Sequence, residues 1–299
     1  MLDLAPFRRL YPFTSHFAQV NGHRMHYVDE GAGEPVLMLH GNPTWSFYYR
    51  RLIAAVAQGR RAIAPDHIGC GLSDAPGAAQ YPFRLENRIA DLERLMERIG
   101  ARAAITLVLH DWGGMIGAAY ALRHVGRIGR LVVLNTAAFA KPAGKRLPWM
   151  LALIRAAPAL FAPAVLRLNL FARGAALTAS QKGLAPDVRR GLLAPTATRA
   201  GRLATLRFVQ DIPLNESDAS FSILREVDEG LHALSEKPML ICWGERDFVF
   251  DGDYFREWRR RFPRAEAHLF PEAGHYVLED VPEKIIPLVL DFLDRHPLS

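Results

Sequence analysis

Short apolar segments alternate with amphipathic segments along most of the chain. Apolar or alternating runs of strand length occur at residues 17–20, 24–29, 36–39, 61–65, 105–109, 130–134, 238–243 and 265–270. The first two flank an Asn21-Gly22 turn, which is typical of a β-hairpin. Helical periodicity appears near residues 44–57, 84–99, 251–261 and 281–293, and Asp280 with Glu283 predicts a capping box for the last helix. This alternation predicts an α/β fold with a mostly parallel eight-stranded sheet and helices on both faces.

The alternation stops in the middle of the chain. Residues 137–212 have helical periodicity, several prolines and no convincing strand. We therefore expect residues 1–136 and 213–299 to form the α/β core and residues 137–212 to form a helical cap. In open α/β sheets ligands bind at the carboxyl ends of the strands, so we expect the cap to lie over that edge.

One strand-turn-helix segment carries candidate chemistry. The apolar run at 105–109 ends at His110-Asp111, and glycines follow at 113, 114 and 117 before a helix-compatible run. This is the form of a nucleophile elbow with Asp111 at the position of the nucleophile. A carboxylate there would attack an electrophilic carbon and form a covalent ester, which favours alkyl halides, epoxides or strained rings as substrates. Taken alone, Asp111 could equally be an ordinary helix N-cap.

Other candidate residues follow other predicted strands. His275 lies after the last strand and is the candidate base, and Asp247 lies after the strand before it and is the candidate acid that orients the imidazole. The order nucleophile, acid, histidine is that of α/β-hydrolases. The loop His40-Gly41-Asn42-Pro43, after the third strand, and Trp112, after the candidate nucleophile, are candidates for donating N–H groups to a leaving group or oxyanion.

Composition excludes several classes of partner. The 37 Lys and Arg residues exceed the 31 Asp and Glu residues, for a formal net charge of +6. These basic residues are scattered, so we expect no nucleic-acid partner. Cys70 and Cys242 have no metal-binding or redox spacing, and the remaining histidines form none either, so we expect no metal and no cofactor.

The chain has no segment typical of a membrane span or a secretory signal. The most apolar stretch, residues 147–177, is interrupted by arginines and prolines, so we expect no transmembrane helix, although it would suit a lid or a contact with a membrane surface. The first 13 residues lack the apolar region of a signal peptide. We therefore expect a cytoplasmic protein.

Three motifs resemble the haloalkane dehalogenase family of α/β-hydrolases. They are HGNPTWS at 40–46, PDHIGCGLSD at 65–74 and HDWGG at 110–114, and the resemblance extends over nearly the whole chain. It implies that Asn42 and Trp112 hold the departing group. The family's acid follows either the sixth or the seventh strand. Here the sixth ends in LNTA at 134–137, without a carboxylate, so the resemblance assigns the acid to Asp247.

Within that family the resemblance is closest to the third subfamily, which includes the β-lactone decarboxylases of olefin biosynthesis. LNTAAF at 134–139, FVQDIPL at 208–214 and DFVFD at 247–251 carry this part of it. It implies conversion of a cis-3,4-dialkyl β-lactone to a cis-olefin and carbon dioxide. It also implies a small apolar substrate and an assembly with other olefin-biosynthesis enzymes.

The same residues bear on four alternative functions. Haloalkane hydrolysis to alcohol and halide uses the same catalytic residues and stays open. Epoxide hydrolases protonate the ring oxygen with tyrosines of the lid, and residues 137–215 contain no tyrosine, so we do not expect epoxide hydrolysis. Fluoroacetate dehalogenases have arginines after the nucleophile. This chain has Trp112 and Met115-Ile116 there, so we do not expect that activity either. A non-catalytic binding module on the same scaffold is the remaining alternative, and a complete nucleophile, acid and base argue against it.

Overall fold

The strands form one twisted sheet. The computed structural model describes residues 2–101 and 103–298. The eight strands are β1 (His16–Val20), β2 (His23–Glu30), β3 (Pro35–Leu39), β4 (Arg61–Pro65), β5 (Ile105–Asp111), β6 (Ile128–Thr136), β7 (Met239–Gly244) and β8 (Glu266–Phe270). Their order in the sheet is β1-β2-β4-β3-β5-β6-β7-β8. The hairpin strand β2 pairs antiparallel with both β1 and β4, and all other pairs are parallel.

Seven of the α-helices belong to the regions before and after the middle segment. They are α1 (Arg50–Val56), α2 (Leu85–Arg98), α3 (Trp112–Arg123), and, after the middle segment, α9 (Phe221–Gly230), α10 (Gly252–Arg261), α11 (Val277–Asp280) and α12 (Pro282–Arg295). Short 3-10 helices occur at Ala5–Phe7, Ser46–Tyr49, Val125–Arg127 and Leu231–Leu234. The predicted fold class, an α/β sheet with mostly parallel strands, is confirmed.

Helices cover both faces of the sheet because the central strands are apolar on both sides. In β5, Leu107 and Leu109 pack into one hydrophobic cluster, whereas Val108 between them packs into the other. This follows from the two-residue period of a strand. The first cluster includes residues of α2, α3, α9 and α10, and the second includes residues of α1 and α12. Burial on both faces explains why the strand reads as a continuous apolar run.

The segment between β6 and α9 is helical throughout its regular structure. Its helices are α4 (Trp149–Ala156), α5 (Pro158–Leu168), α6 (Leu170–Thr178), α7 (Pro186–Leu193) and α8 (Arg199–Gln210), with a 3-10 helix at Ala194–Ala197. Among the residues described, no single helix is both long and apolar enough to cross a membrane. Taken together α4 and α5 meet that test, but they are bent by 111° where they join.

Element ends differ from the sequence prediction in a few places. The helix expected near residues 44–57 begins as a 3-10 turn and becomes α-helical only at Arg50. The expected capping box at Asp280 and Glu283 is wrong, since Val281 precedes the first residue of α12 and has no capping side chain among the described residues. Asp280 instead ends α11, and its buried carboxylate accepts hydrogen bonds from other segments. Buried donors therefore outcompeted the local cap.

Candidate active site

Asp111 lies on a sharp turn between β5 and α3. Its φ of 51° and ψ of −127° place it in a backbone region that few L-residues adopt. The turn also brings α3 close to the sheet. A Cβ at Gly113 would overlap the Leu39 carbonyl, and one at Gly114 would overlap the Thr136 side chain. These glycines are required by the close approach, as expected for an elbow.

The carboxylate of Asp111 is not used as a helix cap. It makes no capping hydrogen bond with the described residues of α3, so the N-cap interpretation is not supported. Its Oδ1 accepts a hydrogen bond of 2.5 Å from the backbone N–H of Asn42. Burial raises the pKa of Asp111 above its usual range, while the charge of His275 and the backbone N–H groups of Asn42 and Trp112 act in the opposite direction.

His275 lies between two carboxylates. It follows β8, and its Nδ1 is 2.8 Å from Oδ2 of Asp247, while its Nε2 is 3.7 Å from Oδ2 of Asp111. All three side chains are buried. Burial lowers the pKa of His275, but the charges of Asp247 and Asp111 outweigh it, so the pKa lies above its ordinary value. The structure thus brings the three predicted residues into one group.

Asn135, at the end of β6, holds Asp247 in place. Its Nδ2 donates to Oδ2 of Asp247 and to the carbonyl of Gly244, both at 3.0 Å, and its Oδ1 accepts from the Gly244 N–H at 2.8 Å. The other carboxylate oxygen of Asp247 accepts the backbone N–H of Val249. The sequence identifies Asn135 only as a residue of the LNTAAF motif. The signal for its role was a polar residue at a buried strand end, beside the strand that precedes Asp247.

The two predicted leaving-group residues are both neighbours of Asp111, one through a backbone hydrogen bond and the other in sequence. Asn42 uses one side-chain N–H to donate to the carbonyl of Thr205 in α8, at 3.1 Å. An amide has two such hydrogens, and the second has no acceptor among the described residues. The indole N–H of Trp112 likewise has no acceptor in the described part of the chain. Both residues line the same cavity as Asp111 and His275.

That cavity is apolar apart from the candidate residues. Its volume is about 290 Å³, and it lies between the carboxyl end of the sheet and helices α4, α5, α6 and α8. Leu151, Ile154, Phe161, Val165 and Phe171 are among its lining side chains. The described lining residues include no tyrosine and no charged group besides Asp111 and His275. The arrangement suits an apolar molecule whose reactive centre meets Asp111.

An unpredicted cation lies behind Trp112. Arg88 of α2 is buried, and its guanidinium is 3.4 Å from the centre of the Phe208 ring. Phe208 in turn lies against Trp112, with ring centres 5.3 Å apart. Neither terminal nitrogen of Arg88 has a hydrogen-bond partner among the described residues. The helical pattern of α2 does not predict a role for Arg88, because stacking of a cation on an aromatic ring leaves no signal in the sequence.

The geometry allows nucleophilic catalysis by a carboxylate. A buried carboxylate faces an imidazole whose far nitrogen is held by a second carboxylate, which is the arrangement of a catalytic triad. The side-chain N–H groups of Asn42 and Trp112 belong to residues that line the same cavity as Asp111, and N–H groups of this kind can donate to an anion. Across the described residues, no group of three His, Cys, Asp or Glu side chains is arranged to hold a metal ion.

The chain belongs to the α/β hydrolase fold family, whose model matches residues 34–282. The haloalkane dehalogenase DatA from Agrobacterium tumefaciens C58 has a similar structure, with a TM-score of 0.84 over 95% of this chain and 97% of that one. Its sequence identity is 24%, so this similarity concerns the fold. Haloalkane dehalogenases of mycobacteria are 29% to 34% identical to the chain.

Two relatives carry a different name. The cis-3-alkyl-4-alkyloxetan-2-one decarboxylase of Shewanella oneidensis is 45% identical over 95% of this chain and 89% of its own length. The protein of the same name from Xanthomonas campestris pv. campestris is 41% identical over 96% of this chain and 98% of its own length. The resemblance inferred from the three motifs is therefore confirmed at the level of the family.

Proposed function

We propose that the chain is a β-lactone decarboxylase that converts cis-3,4-dialkyloxetan-2-ones to cis-olefins and carbon dioxide. The observation that carries this proposal is an apolar cavity of about 290 Å³ in which Asp111 and His275 are the charged lining residues. The two relatives named as decarboxylases of such compounds support it. The four-membered ring supplies the electrophilic carbon that a carboxylate nucleophile requires.

The proposed reaction needs no other reactant. The Asp111 carboxylate attacks the alkyl-bearing ring carbon that is bonded to the ring oxygen, not the carbonyl carbon. An ester bond to that carbon forms, its bond to the ring oxygen breaks, and a free carboxylate remains on the neighbouring carbon. Loss of carbon dioxide then moves the carbon–carbon bonding pair into the new double bond. At the same time the ester bond breaks, and Asp111 leaves as a carboxylate.

The surrounding groups have distinct roles in this proposal. Asn42 and Trp112 donate hydrogen bonds to the carboxylate that develops from the ring. A protonated His275, with its raised pKa, stabilises Asp111 when the ester breaks, and Asp247 holds the imidazole in place. We further propose that residues 137–212 act as a cap that desolvates the alkyl chains over the core formed by residues 1–136 and 213–299.

Haloalkane hydrolysis is the second candidate, favoured by the two donors beside Asp111. Asn42 and Trp112 each have an N–H without an acceptor among the described residues, and such a pair would hold a halide. Here Asp111 displaces halide, and His275 removes a proton from the water that hydrolyses the ester. This route places a water oxygen in the product or in Asp111, whereas the lactone route uses no water.

A side-by-side assay separates the two candidates. The purified protein is given a cis-dialkyl β-lactone and, separately, a 1-bromoalkane, with olefin and free bromide measured. We expect olefin to form with a much higher kcat/KM than bromide. In water labelled with oxygen-18, the peptide containing Asp111 should stay unlabelled during lactone turnover. Bromide release at ordinary enzyme rates with an untouched lactone would reverse the assignment. No turnover of either would favour a binding module.

The proposed function also predicts a partner and a location for the protein. The lactone must be supplied by an enzyme that closes a β-hydroxy acid, and the resemblance implies an assembly with such enzymes. Co-elution of this protein with the purified lactone-forming enzyme in size-exclusion chromatography tests that association. Cytoplasmic localisation is also a prediction, and fractionation of cells that produce the protein tests it. The relatives' names bear on neither point.

A further inference from the structure

The outer surface of helices α4, α5 and α6 is unusually apolar. Large side chains are exposed there, with 72% of Trp149, 71% of Leu160 and 65% of Leu177 accessible. Leu153, Leu168 and Leu170 are exposed as well. The opposite sides of the same helices contribute buried residues such as Ile154 and Val165. These helices are therefore apolar on two sides, and the outer side has nothing against it in the described chain.

The same segment has a one-signed charge. Residues 137–186 contain no aspartate or glutamate and seven basic residues. Three of the seven are neutralised by acidic groups from neighbouring elements. These pairs are Lys145 with Asp251 and Asp253, Arg155 with Asp218, and Lys182 with Glu283. The other four, Lys141, Arg146, Arg167 and Arg173, are exposed and have no acidic partner among the described residues.

The charged and apolar side chains share helix faces. In α5, Leu160 and Arg167 are seven residues apart and both exposed, and in α6, Leu170, Arg173 and Leu177 have helical spacing on one exposed face. Leucine and tryptophan interleaved with arginine is the composition of helices that lie in the interface of an anionic bilayer. The four basic residues without acidic partners stand among these apolar side chains and complement the phosphates of such a bilayer.

The surface is also continuous with the cavity of the candidate site. Trp149, Met150, Leu153 and Leu170 are exposed on the outer face and also line that cavity. Phe248, which is 45% exposed, lies at the same opening. A molecule dissolved in a bilayer would therefore pass from acyl chains to apolar protein surface without crossing water.

We propose that α4, α5 and α6 dock the protein on the surface of an anionic phospholipid bilayer, with the mouth of the cavity facing the lipid. Leucine and tryptophan side chains enter the boundary between headgroups and acyl chains, and the four unpaired basic residues contact lipid phosphates. The proposal is independent of which reaction the site performs, since it concerns the outer surface alone.

Vesicle binding tests the proposal directly. The full chain is centrifuged with vesicles of phosphatidylcholine and phosphatidylglycerol in equal parts, and with vesicles of phosphatidylcholine alone. We expect several-fold more protein on the anionic vesicles and a loss of this difference at high salt. Tryptophan emission should shift to the blue on binding, and Trp149→Phe should remove most of the shift. Of the other four tryptophans, Trp45, Trp243 and Trp258 are fully buried, and Trp112 is half-buried at the cavity.

Matched variants distinguish this surface from the rest of the molecule. Arg173→Glu should weaken vesicle binding by at least about fivefold, the effect expected for one basic residue near such a surface. Arg98→Glu is the control, since Arg98 is also exposed, helical and without an acidic partner among the described residues, but lies just before the start of β5 at the other end of the sheet. Leu160→Ser with Leu177→Ser should reduce binding by at least about tenfold.

Activity on a short-chain, water-soluble substrate keeps the two proposals separable. Leu160 and Leu177 do not line the cavity, so their variant should retain that activity while losing vesicle binding. Vesicle binding that is absent, or equal in the Arg173 and Leu160/Leu177 variants and the wild type, would overturn the proposal. Concentration-dependent dimers without vesicles, abolished by the same leucine variants and accompanied by no vesicle binding, would also overturn it and identify a second copy as the occupant.

Discussion

At the scale of single residues, Asp111 combines strain, burial and a directed environment. Its positive φ costs conformational free energy. An ordinary helix N-cap adopts an extended conformation and has no such cost. Its carboxylate is buried against the Asn42 N–H and faces His275. The strained backbone conformation directs the Asp111 carboxylate into an apolar cavity. A purely structural aspartate would have no need of that position.

Asp111→Asn should abolish turnover and leave the fold intact. An amide cannot form the ester, and asparagine tolerates a positive φ better than most residues do, so the elbow should survive. We expect kcat to fall by several orders of magnitude, measured by olefin or halide release. Mass spectrometry must exclude deamidation back to aspartate. Activity within about tenfold of the wild type would show that Asp111 is not the nucleophile.

His275→Ala should separate the two candidate chemistries. If water hydrolyses the ester, loss of the base leaves the covalent intermediate in place, and the peptide containing Asp111 gains the mass of the substrate's alkyl group. In the lactone route His275 assists breakage of the ester, so turnover should fall and the adduct on that peptide should carry the mass of the whole lactone, including the carboxylate that would leave as carbon dioxide. Unchanged steady-state turnover in this variant would remove His275 from either mechanism. Thermal unfolding of the variant serves as the control for folding.

Asn42→Ala and Trp112→Phe should each slow the reaction by about 10²–10³-fold in kcat, if each donates one hydrogen bond to the developing anion. Trp112→Phe keeps an aromatic ring against Phe208 and removes only the indole N–H. Asn42→Ala also removes a hydrogen bond to the Thr205 carbonyl, so its unfolding midpoint must be measured in parallel. If kcat is close to normal in both variants, the anion is held elsewhere.

At the scale of elements, the sequence was most informative where local structure and chemistry coincide. The apolar run of β5, the glycines of α3 and the strand ends that carry Asp247 and His275 all follow from short-range patterns. The contacts of Asn135 and Arg88 do not follow from such patterns, because they depend on which strands and helices become neighbours. The capping box predicted at Asp280 was wrong for the same reason, since the partners of its carboxylate lie up to 100 residues away in the sequence.

Asp280→Asn should destabilise the protein through a link between the middle segment and the core. The buried carboxylate accepts hydrogen bonds from Ser180, Gln181 and Lys182 after α6, and from the N–H of Gly274 beside His275. The amide nitrogen of asparagine would place its own N–H groups against some of these donors, so buried hydrogen bonds would be lost. We therefore expect the free energy of unfolding, measured by urea denaturation, to fall by about 1.5–3 kcal/mol.

Asp291→Asn is the matched control for that variant. Asp291 is an exposed aspartate of α12 that pairs with Arg295, and its loss should change the free energy of unfolding by less than about 0.5 kcal/mol. Asp280→Asn should also lower kcat, because Gly274 precedes His275 and loses its anchor. Equal stability of the two variants would show that the link between the segments contributes nothing.

At the scale of the whole molecule, the cavity between core and helices decides which molecules reach Asp111. Its lining is almost entirely apolar, so binding should grow with the alkyl surface of the substrate until the cavity is full. Each buried methylene contributes about 0.8 kcal/mol, which corresponds to about a fourfold rise in kcat/KM per methylene. A homologous series of lactones or bromoalkanes, whichever the protein turns over, should therefore show a rise followed by a plateau or a fall.

Gly174→Leu should move that limit to shorter chains. Gly174 lines the cavity in α6, and a Cβ added there meets no atom within 4 Å, so a leucine has room at its base and can extend into the open space. The change also replaces a poor helix former with a good one, so the unfolding midpoint should not fall. We expect kcat/KM for the longest substrates to drop by at least about tenfold while that for the shortest stays within about twofold, since only long chains compete with the new side chain.

Gly126→Leu is the control for this variant. Gly126 also has no atom within 4 Å of an added Cβ, but it lies outside the cavity, so the change should leave the whole substrate series unaffected. An unaltered chain-length profile in Gly174→Leu would mean that the alkyl chains occupy a different path from the one this cavity provides.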